Sequence, residues 1–114
     1  GGFAGGLLKY LRRHPVPRLT IGGGIGKMCK LAQGAMDLHS GRSQVDLSAL
    51  SSWVGQDLTD CNTALEAYTR VGPNLAEAVA QRALNQVKIT LQGADIKVDT
   101  IVIDRAGTII GRAA

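Results

Sequence analysis

The chain begins with apolar residues at helical spacing, followed by a short extended stretch. The first apolar residues fall on one helical face: Phe3, Leu7, Leu8 and Leu11. Pro15 and Pro17 end this predicted helix, because a proline ring blocks the turn that precedes it. Residues 18–21 predict a short strand, and the glycine-rich stretch 22–26 follows it. Helical spacing returns from Lys27 and predicts a second helix with one apolar stripe: Met28, Leu31, Ala32, Ala35 and Met36.

The rest of the pattern is mainly helical and becomes extended near the end of the chain. Three residues are placed to cap helices: Asp46, Thr59 and Asn74, the last forming a capping box with Glu77. The helix from Asn74 continues to Gly93 and carries one apolar stripe: Leu75, Val79, Ala83, Val87 and Leu91. Residues 98–103 then predict a strand, 104–107 a turn and 108–111 a second short strand. This succession predicts a helix-rich α/β fold with a small, mostly parallel sheet flanked by helices.

Composition narrows the classes of function. The 114 residues are 45% hydrophobic and 19% charged, a balance typical of one globular domain rather than a disordered segment. No apolar run is long enough to span a membrane, and the four aromatic residues are too scattered for a nucleic-acid stacking platform. The net charge of +4 favours anionic partners. Cys29 and Cys61 form neither a disulfide framework nor a metal-binding pair, which is typical of a cytoplasmic protein.

The glycine-rich loop is the most informative stretch for function. Its glycines permit positive φ angles and let a ligand approach bare backbone N–H groups: Gly22, Gly23, Gly24 and Gly26. A helix that begins there also directs unpaired N–H groups and the positive end of its dipole at an anion. Lys27 and Lys30, which we expect in the first turn, would strengthen such a site. The alternative is that the glycines serve only a tight turn.

Two nucleotide-binding motifs do not fit this loop. A phosphate-binding P-loop requires glycine at Ile21 and serine or threonine at Met28. A dinucleotide fingerprint requires glycine at Lys27. The loop is therefore suited to anions but matches neither template.

Acid–base chemistry has two candidate residues. His39, beside Asp37 or Asp46, could transfer a proton near neutral pH, with the carboxylate orienting its ring. The alternatives are structural: His39 as a helix C-terminal cap and Asp46 as a helix N-terminal cap. No third ligand lies at a spacing suited to zinc, so we expect no metal site.

Residues 23–46 resemble the CbiD family of cobalamin biosynthesis, whose pattern includes the following positions of this chain: Gly23, Ile25, Gly26, Lys27, Lys30, Leu31, Ala32, Gly34, His39, Ser40 and Asp46. The family has histidine, threonine and arginine where this chain has Gly24, Leu38 and Ser48. The resemblance implies a methyltransferase that uses S-adenosylmethionine to methylate cobalt-precorrin-5B at C-1 of the corrin ring. It also implies that residues 1–114 are the C-terminal α/β domain of a longer two-domain protein, without its N-terminal domain and one strand. The chain opens at Gly1 with neither a start methionine nor a signal-type segment, which fits that expectation.

The resemblance and the loop together predict a binding site for carboxylates. We expect Gly22, Gly23, Gly24, Gly26, Lys27 and Lys30 to contact a carboxylate of the corrinoid or of S-adenosylmethionine, with His39 and Ser40 orienting the ligand. His39 and Asp46 are the catalytic candidates. We expect an isolated domain without activity and no nucleic-acid or membrane partner. An unpaired sheet edge predicts either a homodimer or, failing that, marginal stability. The alternative function is a non-catalytic anion- or nucleotide-binding α/β module.

Overall fold

Five helices and three strands form the computed structural model, which describes residues 3–34 and 45–114. In chain order they are α1 (Phe3–Arg13), β1 (Arg18–Gly23), α2 (Ile25–Ala32), α3 (Leu47–Val54), α4 (Ala64–Val71), α5 (Pro73–Leu91), β2 (Lys97–Ile103) and β3 (Ile109–Ala113). Their apolar faces share one core, so the predicted helix-rich α/β fold is confirmed.

The sheet has the order β1-β2-β3 and is mixed. β1 runs parallel to β2, with Arg18 opposite Lys97 and Gly23 opposite Val102. β2 and β3 form an antiparallel hairpin around the predicted turn. Because β1 and β2 are parallel, both end at the same edge of the sheet, and α2 to α5 form the crossover between them.

Helix α5 is the centre of the core. Its predicted apolar stripe is buried throughout: Leu75, Val79, Ala83, Val87 and Leu91. The other four helices of the described ranges and strands β2 and β3 all pack against it. Small residues allow the backbones of α5 and β3 to approach closely. A Cβ added at Gly111 of β3 would lie 2.5 Å from the carbonyl carbon of Ala76 of α5. The buried Thr100 hydroxyl donates a 2.6 Å hydrogen bond to the Ala80 carbonyl, so the close approach leaves this polar group paired.

Several helix ends differ from the sequence prediction. α2 begins at Ile25 rather than Lys27 and ends at Ala32, before Gly34 with its φ of +87°. The predicted continuation through Ala35 and Met36 lies outside the described residues. α2 therefore has eight residues.

The caps of α4 and α5 are also not the predicted ones. The Thr63 hydroxyl caps α4 by accepting a 3.0 Å hydrogen bond from Glu66 N–H, whereas the Thr59 hydroxyl bonds to Asp57 in the preceding turn. α5 follows Gly72 and has Pro73 at its first position, so Asn74 lies inside the helix rather than capping it. Proline suits that position because its ring fixes φ and the missing N–H would have no helical partner.

Candidate functional site

A cleft of about 680 Å³ opens at the edge of the sheet where β1 and β2 end. Residues 24–26 at the beginning of α2 line one side, and Leu65 and Tyr68 of α4 line another. Ile103 at the end of β2, residues 104–106 of the following turn and Ile110 of β3 complete the described walls. The carboxyl ends of parallel strands are where ligands bind in open α/β sheets, because the loops there converge beside helix N-termini.

The beginning of α2 contributes backbone N–H groups to this cleft. The first helical hydrogen bond runs from Met28 N–H to the Gly24 carbonyl at 3.0 Å. The N–H groups of Ile25, Gly26 and Lys27 therefore precede the helical hydrogen-bond pattern. Gly24 has no side chain to cap them, and Gly24 to Gly26 line the cleft. This end of the helix carries partial positive charge.

Gly24 and Gly26 leave open space in the cleft. A Cβ built at either position meets no heavy atom of the described residues within 4 Å. Neither torsion requires glycine, since φ of Gly24 is −68° and Gly26 is not among the residues of positive φ. The positive φ that glycine permits is therefore not used at these two positions. What glycine provides at these two positions is room for a ligand beside the backbone.

Gly22 and Gly23 lie in β1 and are not among the lining residues. Gly22 is opposite Ile101, and a Cβ there would lie 2.6 Å from Ile101 Cγ1. A Cβ at Gly23 would lie 3.0 Å from Lys27 Cδ. The described structure thus gives Gly22 a packing role, and the predicted ligand contacts of both glycines stay predictions.

The two lysines of α2 lie at different ends of the helix. Lys27 is in the first turn and exposed, but Lys30 is in the last turn, so its predicted place in the first turn is wrong. The reason is the helix's early beginning and short length. Lys30 stabilises the negative end of the dipole from there. Neither residue is among those that line the cleft, and their ligand contacts stay predictions.

Asp46 is the N-cap of α3, as one of its two interpretations proposed. Its Oδ1 accepts hydrogen bonds from Ser48 N–H at 2.9 Å and Ala49 N–H at 3.2 Å. Its backbone bonds in both directions to the side-chain amide of Gln33, which ties α3 to the end of α2. The carboxylate is therefore engaged in capping, and its catalytic role stays a prediction. His39 and Ser40, the other predicted site residues, lie outside the described residues.

Arg105 is a cleft residue that the sequence predicted only as part of a turn. It follows β2 and lines the cleft beside Asp104 and Ala106. The signal that could have identified it is topological: in a parallel pair, the residues after β2 meet the residues after β1. Tyr68 and Leu65 of α4 carry no such signal, because only the packed fold brings α4 to this edge.

The thiols are not suited to nucleophilic chemistry. Cys29 and Cys61 are both free and buried. Burial raises the pKa of the Cys29 thiol to about 12, and it also raises the pKa of Cys61. A thiol with a raised pKa is protonated near neutral pH and a poor nucleophile. Within residues 3–34 and 45–114, no three His, Cys, Asp or Glu side chains cluster as metal ligands would.

The cleft combines two kinds of surface. Ile25, Leu65, Ile103 and Ile110 supply apolar walls, and the α2 N-terminus and Arg105 supply positive charge. Asp104 also lines the cleft, with its Oδ1 engaged by two backbone N–H groups of the turn. Such a cleft suits a molecule with an uncharged body and an anionic group. No helix in the described part of the chain is both long and apolar enough to cross a membrane.

Comparisons with known proteins identify relatives of this chain. The family described as CbiD, C-terminal domain, matches residues 37–114. A cobalt-precorrin-5B C(1)-methyltransferase of Paramagnetospirillum magneticum is 47% identical over 99% of the chain, and one of Brucella anthropi is 46% identical over 98%. One of Rhodospirillum rubrum is 45% identical over 97%. The chain spans 34% of the length of each. No solved structure shows a significant match to it.

Proposed function

The chain belongs to the CbiD family, and we propose from this membership that it is part of a methyltransferase acting on cobalt-precorrin-5B at C-1 in cobalamin biosynthesis. The observation that carries the proposal is the 45–47% identity to enzymes of that name along nearly the whole chain. Residues 1–114 would form the C-terminal domain of the enzyme. An N-terminal domain would supply the rest of the active site, and the cytoplasm is the expected location.

S-adenosylmethionine is the proposed methyl donor, and when bound it supplies a methyl group on a sulfonium. Both the donor and the corrinoid carry carboxylates on a larger, mostly uncharged body. The open space beside Gly24 and Gly26 fits such a group, because a carboxylate can approach the backbone there without meeting a side chain. The chemistry of the cleft therefore accommodates either ligand.

We assign this domain a binding and orienting role. The N–H groups at the start of α2 would donate hydrogen bonds to the carboxylate, and the apolar walls would contact the body of the ligand. Holding one reactant in a fixed geometry lowers the barrier to transfer because less freedom is lost in the reacting step. Lys27, His39 and Ser40 are proposed as further contacts.

The test exploits the opposite effects that one methyl group has on folding and on binding. In the full-length enzyme, Gly26→Ala places a methyl group in the cleft, and we expect affinity for S-adenosylhomocysteine or for cobyrinic acid to fall at least tenfold. Folding stability should rise by about 0.4–1 kcal/mol, because alanine restricts the unfolded chain. The measurements are isothermal titration with each ligand and denaturant unfolding.

Gly6→Ala is the matched control. Gly6 is an exposed glycine of α1 whose added Cβ also meets nothing within 4 Å in the described part of the chain. It should give the same gain in stability with unchanged ligand affinity and methyl transfer. Unchanged affinity for both ligands in Gly26→Ala would contradict the proposed site. Ligand binding by a full-length enzyme without methyl transfer would favour the alternative, a non-catalytic anion-binding module.

A further inference from the structure

The turn between β2 and β3 is held rigid by one side chain. Asp104 Oδ1 accepts hydrogen bonds from Ala106 N–H and Thr108 N–H, each at 2.9 Å. The Asp104 backbone also bonds to Thr108 and Gly107, and Gly107 takes a φ of +84° that favours glycine. Arg105 lies inside this closed turn, so its backbone position at the cleft is fixed.

A strand irregularity directs the same hairpin toward the cleft. Val102 pairs with Gly111 and Ile103 pairs with Ile109, so Ile110 is an extra residue in β3. A bulge of this kind bends its strand and re-aims a side chain. Ile110 lines the cleft together with Ile103 and Arg105. Turn and bulge thus bring an apolar surface and an arginine to one opening.

The charge of Arg105 is not neutralised by a described carboxylate. Arg70 pairs with Asp60 at 2.6 Å, and Arg112 pairs with Asp99 at 3.1 Å. Arg105 forms no ion pair within residues 3–34 and 45–114, and the oxygen Oδ1 of its neighbour Asp104 is engaged by the turn. A guanidinium beside apolar walls suits a planar carboxylate, which it can bind with two parallel hydrogen bonds.

We infer that Arg105 binds the ligand's carboxylate in the cleft and determines selectivity for a carboxylate-bearing ligand, an inference that rests on the proposed function. The carboxylate belongs either to the methyl donor or to a side chain of the corrinoid. Arg105 would bind a carboxylate from either source in the same way, and two pairs of probes distinguish the sources. One pair is S-adenosylhomocysteine and its decarboxylated analogue. The other is cobyrinic acid and its heptamethyl ester.

The experiment measures the affinity of the full-length enzyme for all four probes, in the wild type and in Arg105→Met. In one of the pairs, the variant should bind the carboxylate-bearing probe at least tenfold more weakly, about 1.4 kcal/mol. Affinity for its uncharged or decarboxylated counterpart should stay within twofold. The affected pair identifies the source of the carboxylate.

Two further variants serve as controls. Arg105→Lys keeps the charge but not the paired geometry, and it should recover part of the lost affinity. Arg13→Met removes an exposed arginine at the end of α1 and should change none of the affinities.

The outcomes separate the inference from the proposed function. Normal methyl transfer with unchanged affinities in Arg105→Met would overturn the inference alone, as would an equal loss for both members of a pair. A wild-type enzyme that binds none of the probes and transfers no methyl group would overturn the proposed function, and the inference with it.

Discussion

Asp46 fits two interpretations, a catalytic carboxylate and a helix N-cap, and substitutions at this residue distinguish them. Its carboxylate accepts two backbone hydrogen bonds at the start of α3, which accounts for an aspartate at this position without any catalysis. Asparagine caps helices about as well as aspartate, whereas alanine does not. Asp46→Asn therefore removes the charge and keeps the cap, whereas Asp46→Ala removes both.

We expect Asp46→Asn to keep both stability and methyl transfer in the full-length enzyme, because the cap survives. Asp46→Ala should lose about 1 kcal/mol of unfolding free energy, the usual value of a cap. Denaturant unfolding and kcat report the two effects. A large fall in kcat for Asp46→Asn at unchanged stability would instead assign the carboxylate to catalysis.

Single residues could be predicted from the sequence where the signal is local. Asp46 lies directly before an apolar run, and its cap was predicted. Thr63 rather than the predicted Thr59 caps α4, because both threonines precede the same apolar run and the local pattern does not separate them. Arg105 could not be identified as a cleft residue, since its importance depends on a strand pairing between residues far apart in the chain.

Among the elements, the sheet contains a polar link across all three strands. The Thr20 hydroxyl of β1 donates to Asp99 Oδ1 of β2, and Arg112 of β3 pairs with Asp99 Oδ2. The hydrogen bond from Thr20, followed by the hydrogen bond and charge of Arg112, lowers the pKa of Asp99 below its usual value. The link lies on the face opposite the three buried residues of β2, which are Val98, Thr100 and Val102.

This link predicts an acid-sensitive sheet. Because the pKa of Asp99 is lower in the folded than in the unfolded state, its contribution is present above the unfolded pKa of about 3.9. That contribution is lost as the pH falls from there through the folded pKa. Asp99→Asn should lose up to about 1 kcal/mol at pH 7, since the pair with Arg112 is exposed to solvent, and its stability should fall less than the wild type's below about pH 4.

Denaturant unfolding at a series of pH values measures both effects. Asp95→Asn, in the exposed loop before β2, is the control and should behave as the wild type does. Parallel pH profiles for the wild type and Asp99→Asn would contradict the predicted link.

The elements differ in how well their patterns predict them. α5 carries an uninterrupted apolar stripe over 19 residues, and both its length and its buried face were predicted. α2 is short and begins within the glycines, where no side chain marks a cap, so its first residue could not be predicted. The ends of the observed strands differ from the predicted ends by one or two residues. The reason is that pairing with the neighbouring strand, rather than the alternation alone, determines where a strand ends.

In the whole molecule, β1 is an edge strand. It pairs with β2 alone in the described part of the chain, and Leu19 and Ile21 are only half-buried. Unpaired backbone groups along an edge form hydrogen bonds readily with another strand. The fold class could be predicted from the sequence because helix and strand patterns alternate, whereas the position of the cleft required the sheet order.

We predict that this chain forms a reversible homodimer through β1. Sedimentation equilibrium over a range of concentrations should show a monomer–dimer equilibrium, because a second copy pairs the open edge. Arg82→Gln, on α5 and far along the chain from β1, is a control that should leave the equilibrium unchanged. A monomer of high thermal stability at all concentrations would contradict the prediction.

The most direct measurement is a crystal structure of the full-length enzyme with S-adenosylhomocysteine or cobyrinic acid bound. The quantity to read is the distance from the nearest ligand carboxylate oxygen to the backbone nitrogen of Gly26. We expect a hydrogen bond of about 2.7–3.2 Å, with the ligand body against Ile103 and Ile110. Both ligands bound elsewhere, with the space beside Gly24 and Gly26 filled by the rest of the protein, would contradict the account.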